Sequence, residues 1–139
     1  MAGKPRFTAS PDQQIGVTIT AANTAKDCAS GTVNLIYTSP TGGSWLSGVM
    51  AMPLGTNTAS VARLFLNNGS ATTTGTNNCM IAQLTLPATT NTEVAGLSPL
   101  MLPIPRAMQD MPDGFRLYVL LGTAVSAGWQ FTPMASKWA

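Results

Sequence analysis

The 139-residue chain contains no histidine and very little charge. Only 9% of its residues are Asp, Glu, Lys or Arg, against about 25% in an ordinary soluble protein. Without histidine, the chain cannot supply a Ser-His-Asp triad or a His-ligated zinc site. Seven basic and five acidic side chains leave a net charge of +2, and seven cations are too few for the broad basic patch that nucleic-acid binding requires. Long apolar runs are also missing. The longest candidate, Leu97 to Met111, is broken by Pro99, Pro103 and Pro105, whereas a membrane helix needs about 20 apolar residues. We therefore expect neither nucleic acid nor membrane as a partner. The opening Met1-Ala-Gly-Lys-Pro-Arg-Phe-Thr has two cations with no apolar run behind them, which is not the pattern of a signal peptide. Disorder is excluded from the other side, since 45% hydrophobic content with so little net charge is the wrong composition for it.

Thr, Asn, Ser, Ala and Gly stand where the charges would be. A free surface this poor in charge is hard to keep soluble. The composition thus points to a surface that lies against copies of the same chain or against another protein. The length suits a single domain.

Hydrophobic alternation places strands along most of the chain. Residues 1–13, with Pro5 and Pro11, read as an extended N-terminal arm. Ile15, Val17 and Ile19 alternate with Gly16, Thr18 and Thr20, the period of a half-buried strand. Residues 21–31 read as a loop, and 32–38 as a strand with Val33, Leu35 and Tyr37 on one face. A turn at Ser39-Pro40-Thr41-Gly42-Gly43 leads to a strand over 44–52, weakened by Gly48. Further strands are expected over 60–67, 79–86, 115–122 and 128–134. Asn68-Gly69 is a hairpin signal, and the prolines demote 99–106 to an edge strand. Helical periodicity is confined to one short turn near Arg106 to Met111. About eight strands spaced by turns suggest an all-β, antiparallel jelly-roll β-sandwich spanning 14–134, with a C-terminal tail at 135–139.

Residues for catalysis are scarce. The only carboxylates are Asp12, Asp27, Glu93, Asp110 and Asp113, all in expected loops or the arm. Asp110 and Asp113 could in principle form an acid pair, but flanking and initiating the turn at Pro112 is the favoured account of them. No glycine-rich phosphate loop precedes a helix. We expect no catalytic residue, no cofactor and no metal site. Cys28 and Cys79 are read as two buried thiols; pairing between them is a matter of geometry. Arg63 and Arg116 either face solvent from their strands or meet a protein partner. Trp129 is expected in the core, whereas Trp138, the penultimate residue, either folds back or anchors to a partner, the latter being favoured.

Three segments carry a resemblance. Gly16-Val-Thr-Ile-Thr-Ala-Ala-Asn-Thr-Ala-Lys-Asp-Cys-Ala-Ser-Gly-Thr-Val, then Gly55 to Gly69 with its Val-Ala-Arg-Leu-Phe-Leu-Asn-Asn-Gly block, and the closing hairpin from Phe115-Arg-Leu-Tyr-Val to Ala127-Gly-Trp-Gln-Phe-Thr together resemble a group of small structural proteins of tailed bacteriophages. The likeness covers roughly residues 14–134 and departs from the group in two places. Members usually keep Gly where Cys28 stands, and often end in a Gly-Gly-Asp type tail where this chain ends Ala135-Ser-Lys-Trp-Ala139. The resemblance implies a non-enzymatic virion protein, a capsid decoration or cement protein on the outer surface of the phage head. It would act as a homo-oligomer, a trimer by analogy, bridging subunits of the major capsid protein. A tail or fibre component, as an adaptor or a receptor- or carbohydrate-binding module, is the alternative. The expected partner contacts are Lys4, Arg6 and Phe7 in the arm and Lys137 and Trp138 in the tail.

Overall fold

The computed structural model describes residues 7–139. Ten strands run in chain order: β1 (Thr8–Pro11), β2 (Val17–Ile19), β3 (Asn34–Thr38), β4 (Ser44–Pro53), β5 (Ser60–Asn67), β6 (Asn78–Leu86), β7 (Leu100–Pro103), β8 (Asp110–Met111), β9 (Arg116–Leu121) and β10 (Trp129–Trp138). The helical structure among the described residues is two single 3-10 turns, Gly75–Asn77 and Arg106–Met108. The strands form two antiparallel sheets, so the chain is an all-β sandwich. One sheet runs β1-β10-β4-β7, with β2 also on β10 and β8 also on β4; the other runs β3-β9-β5-β6.

The alternation visible in the sequence sets the faces. Trp129, Phe131, Pro133 and Ala135 of β10 point into the core, while Gln130, Thr132, Met134 and Ser136 lie outward and half-buried. In β4 the inward set changes from Ser44 and Leu46 to Val49, Ala51 and Pro53. A bulge causes this change: Met134 pairs with Gly48 but Ala135 pairs with Leu46, so Ser47 is extra. Gly48 therefore lies within a ten-residue strand that its weak propensity did not break. Leu64, Leu117, Val119, Leu121, Tyr37 and Leu86 fill the core from the opposite sheet.

β9 is buried on both faces from Leu117 to Leu121. Its outward residues Tyr118 and Leu120, with Phe65, pack beneath Cys28 in a second, smaller apolar cluster. The loop between β2 and β3 thus covers part of the outer face of this sheet. Cys28 adopts φ 58° there, a left-handed conformation that suits glycine.

The carboxyl-terminal boundary differs from expectation. The last strand continues past Met134 to Trp138, so residues 135–138 do not form a separate tail; β4 and β1 flank them and supply ladder partners. Pro133 does not end the strand, because on that edge β2 finishes opposite Phe131 and β1 begins opposite Ser136, leaving the proline in the gap. Within the extended arm expected over 1–13, Thr8–Pro11 is strand β1. Asp12 fastens it further: its amide donates to the Ala135 carbonyl at 2.9 Å and its Oδ2 accepts from the buried Tyr37 hydroxyl at 2.8 Å.

At one end of the sandwich three loops meet on Asn57, which is only 3% exposed. Its Oδ1 accepts from the amides of Ala127 (3.0 Å) and Gly128 (2.8 Å), and its Nδ2 donates to the Gly128 carbonyl at 3.1 Å. Its backbone exchanges two hydrogen bonds with Thr89. Replacing Asn57 by Ala leaves the amides of Ala127 and Gly128 without their acceptor, each costing about 1–3 kcal/mol, while the Gly128 carbonyl keeps the Leu54 amide at 3.0 Å. We expect Asn57→Ala to lower the unfolding free energy by about 2–4 kcal/mol in urea denaturation; a loss below about 1 kcal/mol would mean that the loops hold together without it.

Candidate contact surfaces

The two chain ends form one edge of the first sheet. Thr8 pairs with Trp138, Ser10 with Lys137 and Pro11 with Ser136, and the Ala139 amide donates to the Phe7 carbonyl at 2.8 Å. Three of the expected contact residues, Phe7, Lys137 and Trp138, are thereby brought together although the sequence separates them by 130 positions. Lys4 and Arg6 lie outside the described residues. Phe7 is 70% exposed, and Lys137 is also exposed.

Trp138 does not project as a free anchor. It is half-buried, meets Trp45 edge to face with ring centroids 6.0 Å apart, and donates from Nε1 to Asp110 Oδ1 at 2.9 Å. A tryptophan indole stacks on a ring and satisfies its N–H in the same motion, and here both partners stand on the strands beside it. Ile15, expected to open an alternating strand, is instead 91% exposed. The strand starts at Val17, and Gly16 before it runs so close to β10 that a Cβ there would overlap Thr132 Oγ1. Phe7 and Ile15 flank the short edge strand β1, a place where main-chain groups are open to pairing with another chain.

The carboxylates are dispersed. Asp12 serves Tyr37, Asp27 Oδ1 accepts from the Ala29 amide at 3.0 Å, and Asp110 serves Trp138 from the two-residue strand β8 rather than from a loop. No group of three or more metal-ligating side chains occurs among the described residues. No helix among them is long and apolar enough to cross a membrane.

The cysteines differ from each other. Cys28 is fully buried, whereas Cys79, expected inside, is exposed on β6, and both are free thiols. Burial, reinforced by the neighbouring Asp27 carboxylate, pushes the Cys28 thiol up to about 11. Burial is also the main cause that raises the Tyr37 phenol; a Ser44 hydrogen bond opposes the shift, while the Asp12 contact adds to it.

Arg63 occupies a setting that the sequence could not decide. It projects from β5 to the outer face of the second sheet, between Leu120 of β9 and Gln83 of β6. The guanidinium lies against Gly122, with Nη2 3.4 Å from where a Cβ would stand. Its Nε and Nη1 are buried and have no hydrogen-bond partner among the described residues. Beside it is an open hollow of about 380 Å³ lined by Ala59, Ser60, Val61, Thr85 and Thr123. A second, smaller hollow of about 180 Å³ lies at the same end of the sandwich, between Pro53, Pro87, Ala88, Leu97, Leu100 and Trp129. Trp129 is 1% exposed, so this hollow offers no open aromatic platform.

Comparison with models of known protein families found no match, and neither curated proteins nor solved structures yielded a similar chain.

The two thiols give a direct check on this arrangement. In native protein a disulfide-exchange reagent should titrate one thiol rapidly, Cys79, and both after denaturation, because thiolate character and access control the rate. Cys28 is held neutral by the fold, so its contribution to stability is present below its ordinary value of 9.0 and lost as pH rises towards about 11. The denaturation midpoint should therefore fall between pH 9 and 11, with Cys28→Ala removing part of that fall; two equally reactive native thiols would contradict the placement of Cys28.

Proposed function

We propose that this chain is a non-enzymatic structural protein of a tailed-bacteriophage virion, a capsid decoration or cement protein that bridges major capsid subunits from the outer surface of the head. The observation that carries the reading is the edge where both chain ends meet, with Phe7 and Ile15 exposed beside a short strand open to pairing. The strand order supports a jelly roll within the sandwich. From β2 to β10, leaving aside the two-residue β8, the chain visits the two sheets in the sequence first, second, first, second, second, first, second, first. Eight strands wound in this way correspond to the paired Greek keys of jelly rolls in capsid proteins. The low charge supports the same reading, because Thr, Gln, Ser and Met on the outward face of β10 can meet another surface without like-charge repulsion.

The mechanism is mechanical. A protein that binds only the assembled shell stabilises it by mass action, about 2.7 kcal/mol per site when free ligand stands at 100 times its Kd. A homo-oligomer, a trimer in this reading, engages several capsid subunits at once and gains by effective concentration. No cofactor takes part. Within the contact edge, Phe7 and Ile15 supply apolar area and Lys137 supplies a charge at the rim; Lys4 and Arg6, which precede Phe7 in the sequence, are proposed as further capsid contacts. Trp138 acts from within, by holding the end of β10 against Trp45.

The test uses purified expanded capsids and recombinant protein. Phe7→Ser combined with Ile15→Ser should leave the thermal midpoint nearly unchanged, because both side chains are exposed, and lower capsid affinity by tenfold or more. Undiminished capsid occupancy would refute this contact. Copies per particle separate head from tail: hundreds mean the shell, and a few to dozens mean the alternative tail or fibre role.

A further inference from the structure

Arg63 holds two buried nitrogens, Nε and Nη1, whose hydrogens nothing among the described residues accepts. Buried donors are nearly always paired in folded proteins, and a buried charge without a counter-charge is costly. Nε–H and the Nη1–H groups leave different edges of the planar guanidinium, so a single carboxylate would meet the Nη1–Nη2 edge, where it can accept two parallel hydrogen bonds. The hollow beside it is open and is lined by the hydroxyl-bearing Ser60, Thr85 and Thr123 together with Ala59 and Val61. This is the chemistry of a receptor for an acidic side chain flanked by an apolar one.

The chain carries such a group at the same end. The Thr92 and Ala95 backbones exchange hydrogen bonds of 3.0 and 3.3 Å, which makes Glu93 and Val94 the two tip residues of a tight hairpin turn. Glu93 is exposed, and Val94 is 96% exposed. The other four carboxylates are at the opposite end of the sandwich or bound there: Asp12 to Tyr37, Asp110 to Trp138, Asp27 beside Asn78 at the start of β6, and Asp113 at the turn before β9. Arg63, by contrast, lies near the end marked by Ser60, Leu86 and Leu121, and the loop with Glu93 leaves β6 at that same end. Among the described residues, Glu93 is therefore the one carboxylate at this end, where Arg63 also stands.

We propose that the Arg63 hollow receives the Glu93–Val94 tip of a second copy of this chain, with the Glu93 carboxylate accepting from the Arg63 guanidinium and Val94 lying against Ala59 and Val61. The tip and the hollow are different patches of one chain, so the contact is heterologous and forms a ring where its rotation closes. The contact shares with the capsid reading only the premise that copies associate, and it does not require a capsid.

Sedimentation of the full chain tests it without a shell present. Wild-type protein should sediment as a closed oligomer at micromolar concentration, weakened by added salt. Arg63→Glu and Glu93→Arg should each weaken assembly by tenfold or more, and the double exchange in one chain should restore it. Glu93→Gln, at an exposed turn, changes the charge without threatening the fold and should also weaken assembly. A monomeric wild type, or single exchanges that leave the mass unchanged, would overturn the proposal. Single exchanges that dissociate the oligomer without rescue by the double exchange would overturn Glu93 as the partner. A closed, exchange-sensitive ring that fails to bind capsids would count against the capsid reading alone.

Discussion

β10 is the strand on which the first sheet depends. It accepts β4 along one edge and both β1 and β2 along the other. Without it, β1 and β2 have no strand partner, and β4 keeps only β7 and β8. This ten-residue strand is thus the element that gives Thr8–Pro11 and Val17–Ile19 a place to lie. An antiparallel ladder of this length satisfies main-chain donors and acceptors over its whole run and aligns Trp129, Phe131 and Ala135 with the core at the same time.

This arrangement fixes where the chain can present itself to others. The amino end and the carboxyl end meet at one edge, and their exposed side chains form one surface. At that end the few carboxylates mostly serve internal roles, with Asp12 holding Tyr37 and Asp110 holding Trp138. At the opposite end the polar work falls to an uncharged residue, Asn57, while Arg63 and Glu93 remain with unused hydrogen-bonding capacity. A small charge count concentrates meaning, because each ionised side chain that lacks an internal partner stands out against neutral surroundings.

Much of the fold was legible in the sequence. The pattern of β9 was plain because a strand buried on both faces reads as an unbroken apolar run. The edge position of β7 followed from its prolines, and Trp129 belonged to the core because it alternates with polar neighbours. The bulge at Ser47 was not legible: one extra residue resets which side chains face inward, and only the partner strand reveals it. Ile15 fitted a strand pattern by its spacing, yet the ladder with β10 covers only Val17–Ile19 and leaves Ile15 exposed. Cys79 was expected inside because cysteines usually are, but β6 is an edge strand, and edge strands leave one side to solvent.

The sequence by itself determined the class of the molecule. Alternating β-branched and aromatic residues, turn residues between them and the absence of helical periodicity leave two packed sheets as the way to bury the apolar set. It determined as well that chemistry needing histidine was closed to this chain. The tertiary structure alone decided which distant residues meet. Thr8 beside Trp138, Asp12 on Tyr37, and Arg63 held against Gly122 with two empty donors all depend on strand order and register. Local pattern specifies which face a residue takes, but neighbours across a sheet are set by how the whole chain pairs, and the candidate surfaces consist of such neighbours.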